Sequence, residues 1–258
     1  MSDSIQLTQK EKLGIITLNR PEVLNSFNKE MLEATIKALS DYGSDPTIRT
    51  IMLTGNGRAF CTGQDLEEAV SNDFEIDQVI EKYYNSIIKQ IRSIEKPIIA
   101  AVNGIAAGAG ANIAISCDLA FATESASFIQ AFSKIGLIPD SGGTFTLPRM
   151  IGFQRASALM MLGDKISAND AEKIGMIYKV FSDDHFAHEV ENIAQKLANM
   201  PTKGLAYTKH LLNQSFANDL NQQLELEQKW QYKATQTYDY REGVQAFIEK
   251  RKPAFKGA

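Results

Sequence analysis

The apolar positions of the chain fall into two regimes. Over the first two thirds, short runs rich in β-branched residues alternate with segments whose apolar residues recur every three to four positions. Leu13-Gly-Ile-Ile-Thr-Leu18 is a run of the first kind, stopped by Asn19-Arg20-Pro21. Ser26 is placed to cap a helix carrying Met31, Leu32 and Ile36, with Leu39 beyond. Residues 48–54 predict a second strand, halted by Gly55-Asn56-Gly57. Residues 74–94 predict a long helix, 97–102 a buried strand ended by Asn103-Gly104, and 119–123 another short strand. Such alternation predicts α/β layers joined by crossovers. From about residue 153 the pattern turns helical, over 153–162, 168–174, 184–199, 202–215, 218–238 and 240–249. A soft boundary at Met200-Pro201 divides a core of residues 1–195 from a helical tail of 196–258. That tail either packs on the core or builds an oligomer interface.

Composition narrows the class without reaching the chemistry. At about 150 residues per domain, 258 residues make one to two domains. The charge sum, 27 − 31 = −4, argues against a general nucleic-acid binder, which shows a basic balance or face. Cys61 and Cys117 are too few for a disulfide framework and fit a reducing compartment, hence a cytoplasmic protein. Met1-Ser-Asp-Ser-Ile-Gln6 lacks the pattern of a secretory signal. The longest apolar stretch, 98–117, is interrupted by Asn103, Gly104, Gly108, Gly110 and Asn112, which makes it a poor membrane span.

Five segments are candidates for chemistry. In Gly104-Ile-Ala-Ala-Gly108-Ala-Gly110-Ala-Asn112 a buried strand runs through small residues into a helix. Small side chains let backbone approach a ligand, and a helix N-terminus offers free N–H groups and a favourable dipole for a phosphate or an oxyanion. The same spacing also serves tight helix–strand packing. It is not a dinucleotide fingerprint, because Ile113 stands at the third glycine position, and the phosphate-loop lysine is absent. Gly57-Arg-Ala-Phe-Cys-Thr-Gly-Gln-Asp-Leu66 is a second turn of backbone donors after a strand, and the two turns together can converge on one carbonyl oxygen. Pro139-Asp-Ser-Gly-Gly143 has the look of a protease nucleophile loop, but His185, His188 and His210 all lie downstream and the all-β pattern is missing. A proton-transfer role for Asp140, desolvated by Gly136-Leu-Ile-Pro139, is the better reading; the alternative is a helix cap near Gly142. His185 and His188 read as a solvated helix face rather than metal ligands. Lys250-Arg-Lys252 and Lys256 complement a helix C-terminus or meet phosphates.

Together these residues resemble the crotonase (enoyl-CoA hydratase/isomerase) superfamily over essentially the whole chain. The carriers are Leu18-Asn-Arg-Pro-Glu-Val-Leu-Asn-Ser26, Phe60–Leu66, Asn103–Asp118, Gly136–Gly143 and Tyr240-Arg-Glu-Gly-Val-Gln-Ala-Phe-Ile-Glu-Lys250, in that order and at those distances. The stretch Ala131–Asp140 looks closest to the subgroup that isomerises ring-1,2-epoxyphenylacetyl-CoA. The resemblance implies a spiral of ββα turns with a helical C-terminal trimerisation domain, assembled as trimers or paired trimers. It implies an acyl-CoA substrate, with coenzyme A part of that substrate and neither cofactor nor metal required. It places the oxyanion donors at Gln64 and Ala109, the CoA path at Val23, Ser26, Thr62, Asp65, Leu66, Phe247 and Lys250, and the acyl pocket at Phe128 and Phe132. A complex with a homologous enoyl-CoA hydratase is a further expectation; membrane and nucleic acid are not expected partners.

The departures from the family pattern are equally specific. Hydratases of the family carry glutamates at the positions of Asn112 and Phe132, and neither an amide nor a phenyl ring activates water. Asp140 stands where the epoxide-isomerase subgroup carries its acid/base. The expected activity is therefore isomerisation of the epoxide to an oxepin in phenylacetate catabolism, catalysed by Asp140. The alternatives are a Δ3,Δ2-enoyl-CoA isomerase or enoyl-CoA hydratase of fatty-acid β-oxidation, and a non-catalytic assembly partner in a CoA pathway.

Overall fold

The computed structural model describes residues 3–70 and 75–258. The chain opens with a hairpin of β1 (Ile5–Lys10) and β2 (Leu13–Leu18), followed by α1 (Lys29–Ser44), β3 (Thr50–Gly55), β4 (Ala59–Cys61) and α2 (Leu66–Ala69). The long helix expected over 74–94 begins at Phe74, outside the described residues. Its remainder is α3 (Ile76–Val79), a π-helical turn (Ile80–Tyr84) and α4 (Asn85–Ser93) without a break. Next come β5 (Ile98–Val102), β6 (Ile105–Ala107), α5 (Ala109–Ser116), β7 (Leu119–Thr123) and β8 (Ser127–Ile129). A 3-10 turn (Ala131–Ile135) leads to α6 (Gly143–Ile151), α7 (Phe153–Leu162), β9 (Lys165–Ser167), α8 (Ala168–Lys173) and β10 (Lys179–Phe181). The last four helices are α9 (Asp183–Ala198), α10 (Thr202–Gln214), α11 (Leu220–Thr235) and α12 (Tyr238–Ile248).

The strands form a six-stranded sheet in the order β1-β2-β3-β5-β7-β10 and a four-stranded one in the order β4-β6-β8-β9. Each of the pairs β3–β4, β5–β6 and β7–β8 sends its first strand to the large sheet and its second to the small one, and then enters a helix. This is the expected spiral of ββα turns. The large sheet is covered on both faces, so β5 is buried at every position and reads as an unbroken apolar run. Its alternate side chains still divide. Ile98, Ala100 and Val102 face the main core with Met31, Leu39, Phe60 and Phe128, while Ile99 and Ala101 face Phe186, Val190 and Ala194 of α9. The strands of the small sheet are three residues each, too short for a period of two to show in the sequence.

Ser26 does not cap α1. Asn28 does, accepting from the Met31 N–H at 3.0 Å, because the chain turns twice through left-handed backbone at Leu24 and Asn25 and delays the helix. Asn25 fixes that detour. Wholly buried, it accepts from the Arg20 N–H at 2.8 Å and donates to the carbonyls of Asn56 at 2.9 Å and Ala59 at 2.8 Å. Two polar clusters help to hold the helical tail on the core. Buried Arg49 donates to Thr202, Met200 and Phe255. Lys209 of α10 and Arg92 of α4 both meet Asp118, at 2.8 and 3.1 Å. By contrast, α11 buries no residue in the single chain.

Replacing Asn25 by alanine removes three hydrogen bonds, one of them to the buried Ala59 carbonyl, and puts a side chain without a local hydrogen bond at φ +56°. The expected cost is about 2–4 kcal/mol of unfolding free energy, measured by urea denaturation.

Candidate active site

The two donor turns face each other. Gly63, after β4, has φ +92°, and a Cβ there would lie 3.2 Å from the Ala107 carbonyl oxygen and 3.3 Å from the Ala109 nitrogen. Only glycine combines that backbone with that proximity. Phe27 bridges to the turn by donating to the Gly63 carbonyl at 2.7 Å and accepting from the Asp65 N–H at 2.9 Å, which leaves the Gln64 N–H directed away. Ala109 is the first residue of α5, so its N–H lies beyond the helical ladder, at the positive end of the dipole. Among the described residues neither amide has an acceptor in the protein. α5 is buried at every position, and it can press on β4 because residue 110 is glycine; a Cβ there would meet the Cys61 carbonyl at 2.3 Å. Burial pushes the Cys61 thiol up to about 12, which leaves it inert.

Asp140 lies between the 3-10 turn and α6. Its carboxyl accepts from the Ser141 hydroxyl at 2.9 Å, and its carbonyl accepts from the Gly143 N–H at 2.9 Å and the Asn112 amide at 2.9 Å. Gly142, not Asp140, occupies the N-cap of α6, so the carboxyl is not spent on capping. Burial raises the Asp140 pKa and outweighs the opposing Ser141 hydroxyl. The source of that burial differs from the expectation. Leu137 and Ile138 point outward, 49% and 81% exposed, and desolvation comes with the packing of the turn on α5.

The remaining expected residues sort by place. Phe132 approaches the donor turn, its ring 3.8 Å from where a Cβ on Gly108 would stand. Phe128 is wholly enclosed in the core beneath. Around the mouth, Thr62 Oγ1 donates to the Leu24 carbonyl at 3.3 Å beside half-exposed Val23, and Arg20 joins the Ser26 carbonyl at 2.7 Å to the Asp65 carboxylate at 2.9 Å. Asp65 also caps α2, just before exposed Leu66. Phe247 and Lys250 are exposed on and after α12. Among the described residues no hydrogen bond, ion pair or ring contact joins them to that mouth within the chain.

One residue escaped the sequence reading. The Tyr84 hydroxyl donates to Gln64 Oε1 at 2.7 Å, and its ring meets Phe27 edge-on at 6.0 Å. Burial, and then nearby negative groups including Asp140, raise its pKa. Its place at the end of a π-helical turn is a signal that only the structure provides. His185 and His188 sit on the solvent side of α9, and no cluster of three metal-binding side chains occurs among the described residues. Nor is any helix there long and apolar enough to cross a membrane. The arrangement can hold one developing oxyanion with two amides and move one proton with one desolvated carboxyl.

Comparison with known proteins gives a consistent family. Residues 8–258 match the enoyl-CoA hydratase/isomerase family. A 1,2-epoxyphenylacetyl-CoA isomerase of Escherichia coli is 45% identical over 251 residues, covering 94% of each chain. A trans-2-decenoyl-acyl-carrier-protein isomerase of Streptococcus mutans is 34% identical over 250 residues, covering 95% of each. The crystal structure of enoyl-CoA hydratase subunit I from Geobacillus kaustophilus superposes with a TM-score of 0.92 at 34% identity, covering 100% of both chains.

The raised Asp140 pKa carries a sign for stability. The folded state binds this proton more tightly than the unfolded chain, so the group contributes a penalty that grows as pH rises from about 3.9 through the folded value. Asp140→Asn is therefore expected to gain thermal stability over the wild type at neutral pH, and the gain to shrink as pH falls through that window. Calorimetry across pH 3–8, an on-the-order-of range set by that window, checks it.

Proposed function

The chain belongs to the enoyl-CoA hydratase/isomerase family, and from that premise we propose that it is an acyl-CoA isomerase with Asp140 as its acid/base. The observation that supports this reading is the asymmetry of the site. One desolvated carboxyl belongs to a turn tied through Asn112 to the helix that begins at Ala109, one of two unpaired amides, while Asn112 and Phe132 themselves occupy the other two positions. Hydration by the family's route uses two carboxylates, whereas a proton shuttle within one substrate uses one.

The thioester oxygen accepts from the Gln64 and Ala109 N–H groups, each worth about 3–4 kcal/mol on charge that develops there. Asp140 takes a proton from the carbon next to the carbonyl. The resulting enolate is held by the amides, the proton returns at another carbon, and nothing is consumed. Val23, Ser26, Thr62, Asp65 and Leu66 border the CoA path, with Phe247 and Lys250 as outer contacts, and Phe132 bounds the acyl pocket, with Phe128 packed in the core behind it. The 45% identical epoxide isomerase supports 2-(1,2-epoxy-1,2-dihydrophenyl)acetyl-CoA as substrate and the oxepin as product, within phenylacetate catabolism. The second reading, a shift of a double bond between positions 3 and 2, uses the same shuttle and has the 34% identical decenoyl isomerase behind it. Exposed Phe145, Phe153, Met161 and Phe216, with the unburied α11, support a trimer or a pair of trimers.

Turnover of the ring-epoxide, 3-enoyl and 2-enoyl thioesters separates the readings, with the first expected fastest. Asp140→Asn is expected to lose about 10²–10⁴-fold in kcat while its affinity for the CoA ester stays within about threefold. Near-normal turnover in that variant sinks the assignment, and no turnover by the wild type on any ester favours a non-catalytic assembly role.

A further inference from the structure

Asn112 lies on α5 one helical turn beyond Ala109, so it shares a face with the oxyanion donor. It is wholly buried, and both ends of its amide are engaged. Nδ2 donates to the Asp140 carbonyl at 2.9 Å, and Oδ1 accepts from Gln130 Nε2 at 2.8 Å. The orientation is forced, because a carbonyl oxygen only accepts, and the end facing Asp140 must be the NH₂. Gln130, itself 2% exposed, then holds the other end.

The turn that Asn112 grips has reason to be gripped. Asp140 is followed by Ser141 at φ +49° and Gly142 at φ +71°, two consecutive left-handed residues, and serine adopts that region at a cost. Relaxation of Ser141 toward right-handed backbone would swing the Asp140 carboxyl and withdraw the hydroxyl that it accepts. The Gly143 N–H bond to the Asp140 carbonyl closes the turn across Ser141 and Gly142 and opens when Ser141 relaxes, whereas the Asn112 bond spans 28 positions and anchors the turn to the helix bearing Ala109. Gly143 admits the close approach, since a Cβ there would stand 2.3 Å from Asn112 Nδ2.

We propose that Asn112, oriented by Gln130, is a positioning residue that locks the Asp140 turn against α5 and so fixes the carboxyl relative to the oxyanion donors. The proposal rests on the acid/base reading of Asp140. On this view the amide at this position has a task of its own: it supplies a donor that a carboxylate there would not.

The test is Asn112→Asp, which keeps the side-chain volume but sets an oxygen against the Asp140 carbonyl. Two quantities are read. Hydrogen exchange at the Gly143 amide needs no substrate and is expected to speed up about tenfold or more relative to amides of β5. Turnover of the best thioester, per folded molecule, is expected to lose about 30–300-fold in kcat with KM within about threefold, the signature of a misplaced group. Should that variant fail to fold, Gln130→Leu, which leaves Asn112 in place but frees its orientation, is read the same way and is expected to lose about 3–10-fold in kcat, a fraction of the misplacement effect. Unchanged Gly143 exchange overturns the lock. Faster exchange with unchanged kcat per folded molecule overturns its role in positioning. Absence of turnover in the wild type overturns the acid/base reading instead, and the exchange result tells the two failures apart.

Discussion

Two stretches of backbone pass so closely at Gly63 and Gly108–Ala109 that no side chain fits between them, and the site is organised around that approach. The crowding is what aims two amides without internal acceptors into one space. It also dictates what surrounds them. β4 and β6 must lie side by side in the small sheet, α5 must start where β6 ends, and Gly110 must let the helix settle on Cys61. Electrostatic stabilisation depends on donors that do not reorganise during reaction. Here the donors belong to the main chain, held by sheet pairing and a fully buried helix, so they are as rigid as the core.

The carboxyl proposed as acid/base is held differently. Asp140 sits in a turn with left-handed backbone and partial burial, where small shifts matter. Its carboxyl takes its altered proton affinity from that burial. The main-chain donors and the Asp140 turn thus meet across α5, whose first residue carries one of the amides and whose fourth grips the turn.

Much of this was legible in the chain. The strand at 119–123, the helices after 153 and the two donor turns can be read from periodicity and small residues, because each spans enough positions to show a pattern. β1 was not, since it lies on the sheet edge with nearly all side chains exposed and so lacks an apolar stripe. The cap of α1 moved from Ser26 to Asn28 because a left-handed detour intervenes, and such detours leave little trace when the residues are Leu24 and Asn25 rather than glycine. Gly136-Leu-Ile-Pro139 predicts an apolar cover for Asp140, but Leu137 and Ile138 turn outward, because which way a turn faces its side chains is not written in its composition. Tyr84 was invisible because the hydrogen bond that matters crosses 20 positions to Gln64.

The spiral has a consequence for how such a chain can change. Gln64 follows the small-sheet strand of one turn, Ala109 that of the next, and Asp140 the loop after the third. Each winding therefore contributes one segment to the surroundings of the α5 N-terminus, while the strands that pair the windings form the sheets. A loop can be lengthened or its residues exchanged in one winding without disturbing the register of the others. The architecture separates heredity of fold from heredity of reaction, and a new chemistry needs only one winding to drift.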